Sequence, residues 1–69
     1  MLAEFLRSVS HNYDISFKND PKRKRLIARV TKGFLYKELI FEYDHLTDEQ
    51  YIIDALQKAM MAINIVLNP

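Results

Sequence analysis

Apolar residues at Leu2, Phe5, Leu6 and Val9 follow the i, i+3, i+4, i+7 spacing of a helix. Residues Leu2 to about Ser10 should therefore form a short amphipathic helix, with Glu4, Arg7 and Ser8 off its stripe. A helix of that length is marginal alone, so the stripe must dock on something. From Tyr13 the period drops to two. Tyr13, Ile15 and Phe17 alternate with Asp14, Ser16 and Lys18, the pattern of a half-buried strand. Asn19-Asp20-Pro21 has turn composition, and Pro21 lacks the N–H that would extend a ladder.

Residues Arg23 to Glu42 read as a hairpin turning at Thr31-Lys32-Gly33-Phe34, where the only glycine supplies a positive φ. Leu26, Ala28 and Val30 should face the core from one arm, and Leu35, Leu39 and Phe41 from the other. Lys37 falls on the same inner face and should lie at an edge or reach outward. With a two-residue Lys32-Gly33 loop, Arg29 stands opposite Tyr36 and Arg23 opposite Glu42. The outward face then carries Arg23, Arg25, Ile27, Arg29, Phe34, Tyr36, Glu38, Ile40 and Glu42.

A long helix should run from Leu46 to about Leu67 and end at Asn68-Pro69. Thr47-Asp48-Glu49-Gln50 matches a capping box, with Leu46 and Tyr51 placed as a hydrophobic staple. Ile52, Leu56, Ala59, Ile63 and Val66 form its main stripe. Ile53, Met60 and Leu67 widen one flank, and Tyr51, Ala62 and Ile65 the other. The apolar arc spans roughly 200°, about twice that of a one-sided surface helix. Such a helix should touch two surfaces: the sheet, and either the first helix or a second subunit.

The predicted fold is α+β in the order α-β-β-β-α, a three-stranded antiparallel meander with both helices on one face. This order is similar to that of the double-stranded-RNA-binding domain. That family grips phosphates with lysines at the start of its final helix. The matching stretch here, Thr47-Asp48-Glu49-Gln50, is acidic. The resemblance thus implies a fold and carries over no RNA-contacting residue.

With 69 residues the chain is expected to form one domain, residues 1–69, with a thin stability margin. It has no cysteine, which removes disulfides and thiolate metal sites from consideration. Its 49% hydrophobic content favours a dense core or self-association, and a homodimer is expected. No apolar run approaches the ~20 residues of a membrane span, and the first residues lack the pattern of a secretory signal. Membrane partners are not expected, and the expected location is cytoplasmic.

The formal charge of +1 conceals two blocks. From Ile15 to Lys37 eight bases accompany one acid, a local charge of +7; from Glu38 to Asp54 there are six acids and no base. Four consecutive cations, Lys22, Arg23, Lys24 and Arg25, follow Pro21. Together with Arg29 and Tyr36 they form a candidate nucleic-acid or polyanion site. The cations would hold phosphates and the ring would stack a base. The structural alternative is cross-strand pairing, in which Glu38 and Glu42 neutralise the arginines and Tyr36 packs over Arg29. A second candidate surface is apolar: Ile53, Met60, Met61, Ile65 and Leu67 exceed what one small sheet can cover. A third uses Ile27, Phe34, Tyr36 and Ile40 on the sheet.

No glycine-rich phosphate loop, HExxH or GxSxG motif is present, and His11 and His45 have no metal-ligand spacing. The expectation is a non-enzymatic binding protein without cofactor or metal. Its first expected partner is nucleic acid or another polyanion. The alternative is a protein-interaction module that regulates or inhibits a larger protein, of the kind small phage or mobile-element proteins supply.

Overall fold

The computed structural model describes residues 1–68. Helix α1 (Leu2–Val9) leads into strand β1 (Asp14–Asp20), a short 3-10 turn (Pro21–Arg23), β2 (Arg25–Lys32), β3 (Leu35–Glu42), a second 3-10 turn (Tyr43–His45) and helix α2 (Glu49–Leu67). The strands form one antiparallel sheet in the order β1-β2-β3. The fold is α+β in the expected α-β-β-β-α order, with the helices packed against the sheet. Pro69, expected to help end the last helix, lies outside the described residues.

The sheet's inner face and α2 make the core. Ala28 and Val30 from β2 and Phe41 from β3 close against Ile52, Leu56, Ala59, Met60 and Ile63 of α2. Full burial of a side chain such as Leu56 or Phe41 is worth about 1.5–3 kcal/mol. No polar or charged residue is buried among the described residues. The α1 stripe of Leu2, Phe5, Leu6 and Val9 packs half-buried on this core, as its periodicity requires.

Helix α1 lies along one flank of α2. The Leu2 amide donates to Glu49 Oε1 at 3.1 Å, and Tyr13 Oη donates to the Met60 carbonyl at 3.4 Å. The two helices therefore run in the same direction. Their contact explains why Ile53 and Met60, only 6% and 9% exposed, are sheltered. Phe17 departs from expectation. It lies on the inner side of the sheet, opposite Ala28, but on an edge strand, and stays 40% exposed.

The hairpin register differs from the predicted one. Lys32 pairs with Leu35, so the loop is Gly33-Phe34. Placing Lys32 first in the loop would force a positive φ on a residue with a Cβ. One step further, Gly33 takes that position with φ +63°, the requirement of a II′-type turn. Each β3 partner consequently moves by two residues: Arg29 faces Glu38, and Arg25 faces Glu42. A shift of two preserves the faces, so the inner and outer assignments along the paired strands survive. Two outward residues do not belong to the sheet: Arg23 lies in the first 3-10 turn and Phe34 at the hairpin tip.

The cap of α2 also moves by one residue. Asp48, not Thr47, is the N-cap, and its Oδ1 accepts from the Tyr51 amide at 3.1 Å. Gln50, placed to close the box, instead donates to Asp54 Oδ1 at 2.8 Å, while Glu49 accepts from the Leu2 amide of α1. Tyr51 stacks on His45 with ring centroids 4.3 Å apart.

Candidate interaction surfaces

Four rows of side chains cross the open sheet face: Asp14-Thr31-Tyr36, Ser16-Arg29-Glu38, Lys18-Ile27-Ile40 and Asp20-Arg25-Glu42. Both arginines are engaged. Arg29 donates through Nε and Nη2 to Glu38 Oε2 at 3.3 and 3.0 Å, and its guanidinium lies 4.7 Å from the centre of the Tyr36 ring. Arg25 Nε donates to Asp20 Oδ2 at 3.2 Å, and Arg23 Nη1 reaches the same oxygen at 3.2 Å. Partial desolvation pushes the Asp20 carboxyl up, but the hydrogen bonds and charge of Arg23 and Arg25 outweigh it and hold it below its ordinary value. With four acids interleaved among Lys18, Arg25 and Arg29, the sheet face has no concentrated positive potential.

The six residues of the predicted anion site therefore separate. On the sheet Arg25 pairs with Asp20, and Arg29 with Glu38 and the Tyr36 ring. Lys22, Arg23 and Lys24 lie in and beside the 3-10 turn, exposed. Neither Lys22 nor Lys24 forms an ion pair among the described residues. Lys24 has φ +51° and ψ +52°, the left-handed conformation that favours glycine or asparagine. Its own amide donates to the Pro21 carbonyl at 3.2 Å, and its carbonyl accepts from Tyr43 at 3.0 Å. That second bond brings Tyr43, flanked by Glu42 and Asp44, directly beside the basic turn.

The predicted apolar interface also divides. Ile53 and Met60 are core residues covered by α1, and Leu67 is half-buried. Met61 and Ile65 remain 63% and 65% exposed. Val66, expected within the buried stripe, is 64% exposed because burial along α2 stops at Ile63 apart from Leu67. Two grooves flank this half of the helix. One, of roughly 530 Å³, lies between Tyr13 and Lys32 on one wall and Gln57, Met60, Met61 and Asn64 on the other. The second, of roughly 240 Å³, is lined by Leu35, Tyr36, Lys37, Ala62, Ile63 and Val66. The hairpin tip is at this end of the molecule, with Phe34 87% exposed.

Lys32, Lys37 and Val66 were not identified as site residues in the sequence. Lys37 was legible as an inner-face lysine at an edge. The exposure of Val66 had no sequence signal, since its helical position matches that of its buried neighbours. Among the described residues no three His, Asp or Glu side chains approach closely enough to share a metal ion, and no helix is long and apolar enough to cross a membrane. No family model, curated protein or solved structure matches the chain. The likeness to the double-stranded-RNA-binding domain stays at the level of element order.

Proposed function

We propose that this chain is a non-catalytic binding module that docks a protein partner on the end formed by the hairpin tip and the C-terminal half of α2. One observation carries the reading: Phe34, Met61, Ile65 and Val66 are each more than 60% exposed at that end. Isolated surface hydrophobics are ordinary, but several at one end of so small a domain form the kind of patch that partners cover. The paired arginines of the sheet favour this reading over a polyanion site spread across the whole basic block. The test compares the wild-type chain with a Met61→Gln, Ile65→Gln, Val66→Gln variant for capture of a defined partner from its native host. The reading predicts an interaction that survives high salt and is lost in the variant with unchanged folding. Equal capture by both chains would reject it.

A second reading keeps the anion site but confines it to the turn. It is favoured by Lys24, which forms no ion pair among the described residues and holds a backbone conformation better suited to glycine. Fluorescence anisotropy with single- and double-stranded DNA and RNA tests it. Two or three phosphate contacts would give a salt slope of about −2 to −3. Lys22→Glu with Lys24→Glu should abolish that binding, whereas Arg29→Gln should leave it intact. No binding at low salt would remove this reading.

A further inference from the structure

We infer that the partner of the α2 end is an acidic amphipathic segment: apolar side chains seated on the Met61-Ile65 ridge, with carboxylates beside them meeting Lys32, Lys37 and Lys58. The inference rests on the protein-docking reading above and adds the chemistry of the occupant.

Met61 and Ile65 are one helical turn apart on the outward side of α2, and Lys58 precedes Met61 by three residues on that side. The two grooves beside the ridge contribute one lysine each, Lys32 and Lys37, and neither lining contains a carboxylate. Lys32 Nζ lies over the Tyr13 ring, 4.8 Å from its centre. None of the three lysines forms an ion pair among the described residues. Four acids of the second charge block, Glu42, Asp44, Asp48 and Glu49, sit at or before the start of α2, and Asp54, one turn before Lys58, accepts from Gln50. Asp14, opposite Thr31 on the open sheet face, is the acid nearest the hairpin tip in the strand register.

An apolar ridge flanked by lysines that form no ion pair among the described residues complements a segment that alternates apolar anchors with acids. Such a segment binds as a helix laid along a groove, through anchors at i, i+3 or i+4, and i+7. The charge ring steers the encounter and fixes orientation. A second copy fits less well. A two-fold interface brings each patch against itself, which would set the lysines of one copy against those of the other. Nucleic acid would find cations there but no use for Met61, Ile65 and Val66.

Panning a displayed library of random 15-residue peptides on the full chain, followed by anisotropy on the synthesised winners, tests this. The expected winners space Leu, Ile or Phe at helical intervals with Asp or Glu between. Their affinity should fall at least tenfold for Lys32→Glu with Lys37→Glu, and be unchanged for Lys22→Glu with Lys24→Glu. Neutral or basic winners that still need Met61 and Ile65 would overturn the acidic partner and leave protein docking standing. No enrichment, or winners indifferent to Met61→Gln with Ile65→Gln, would overturn both. A dimer in light scattering that dissociates in the same Gln variant would replace the acidic segment with a second copy.

Discussion

The amide of Tyr43 donates to the carbonyl of Lys24 at 3.0 Å, and through this bond the acidic stretch after β3 is anchored to the basic turn after β1. The Tyr43 hydroxyl extends the link by donating to Asn19 Oδ1. The basic turn and the acidic stretch after β3, at opposite ends of the hairpin in sequence, therefore meet at one end of the sheet. The other end is left to apolar side chains and to lysines that form no ion pair among the described residues. This division orients both functional readings.

Lys24, whose carbonyl accepts from Tyr43, adopts a left-handed backbone. Lys24→Gly should relieve about 1–2 kcal/mol of conformational strain while adding about 0.5–1 kcal/mol of unfolded-state entropy. A net gain of about 0.5 kcal/mol, or ~2–4 °C in Tm for a domain of this size, is expected in thermal melts. Gly33→Ala should move the other way by about 1 kcal/mol, since a Cβ there meets nothing within 4 Å but is strained by φ +63°. Equal melts for Lys24→Gly and wild type would show that the position carries no strain.

Asp20 sets an acid limit on stability. Its carboxyl titrates lower in the folded chain than in the unfolded one, so its contribution is fully present above the unfolded value near pH 4. That contribution fades as pH falls through the folded value. Asp20→Asn should melt below wild type at pH 7, and the gap should close as pH falls below the unfolded value and through the lowered folded one. A gap independent of pH would mean that the Arg23 and Arg25 contacts do not depend on the charge of Asp20.

The helix cap separates two neighbouring residues. Asp48→Ala should cost about 0.5–2 kcal/mol through loss of the bond to the Tyr51 amide. Thr47→Ala should stay within about 0.5 kcal/mol. Urea melts of the two variants decide the matter, and the reverse ranking would restore Thr47 as the cap.

Core and ridge residues on the same helix should respond in opposite ways. Leu56, with no exposure, loses about 2–5 kcal/mol when cut to alanine, enough to unfold much of so small a domain. Met61→Gln and Ile65→Gln should each change stability by less than about 0.5 kcal/mol, because both side chains already face water. Destabilisation by the latter pair would show that they are packed in solution, and sedimentation velocity would reveal whether a second copy packs them.

The hydrophobic periods of this chain were sufficient for its element order. A period of 3.6 at Leu2–Val9 and from Ile52 onward, with a period of two between, leaves little freedom in where helices and strands fall. They also sorted inner from outer faces, because a two-residue shift along a strand preserves its faces. Pairing itself was decided elsewhere. The loop moved by one residue so that Gly33, rather than Lys32, bears the positive φ, and Arg29 thereby met Glu38. Nor could local pattern say which flank of α2 would receive α1. Ile53 and Met60 are as apolar as Met61 and Ile65, yet the first pair is covered and the second is not. Composition records how many charges and apolar groups a chain carries. Which of them neutralise or bury one another depends on contacts between residues far apart in sequence, and only the folded arrangement of α1, the hairpin and α2 creates those contacts.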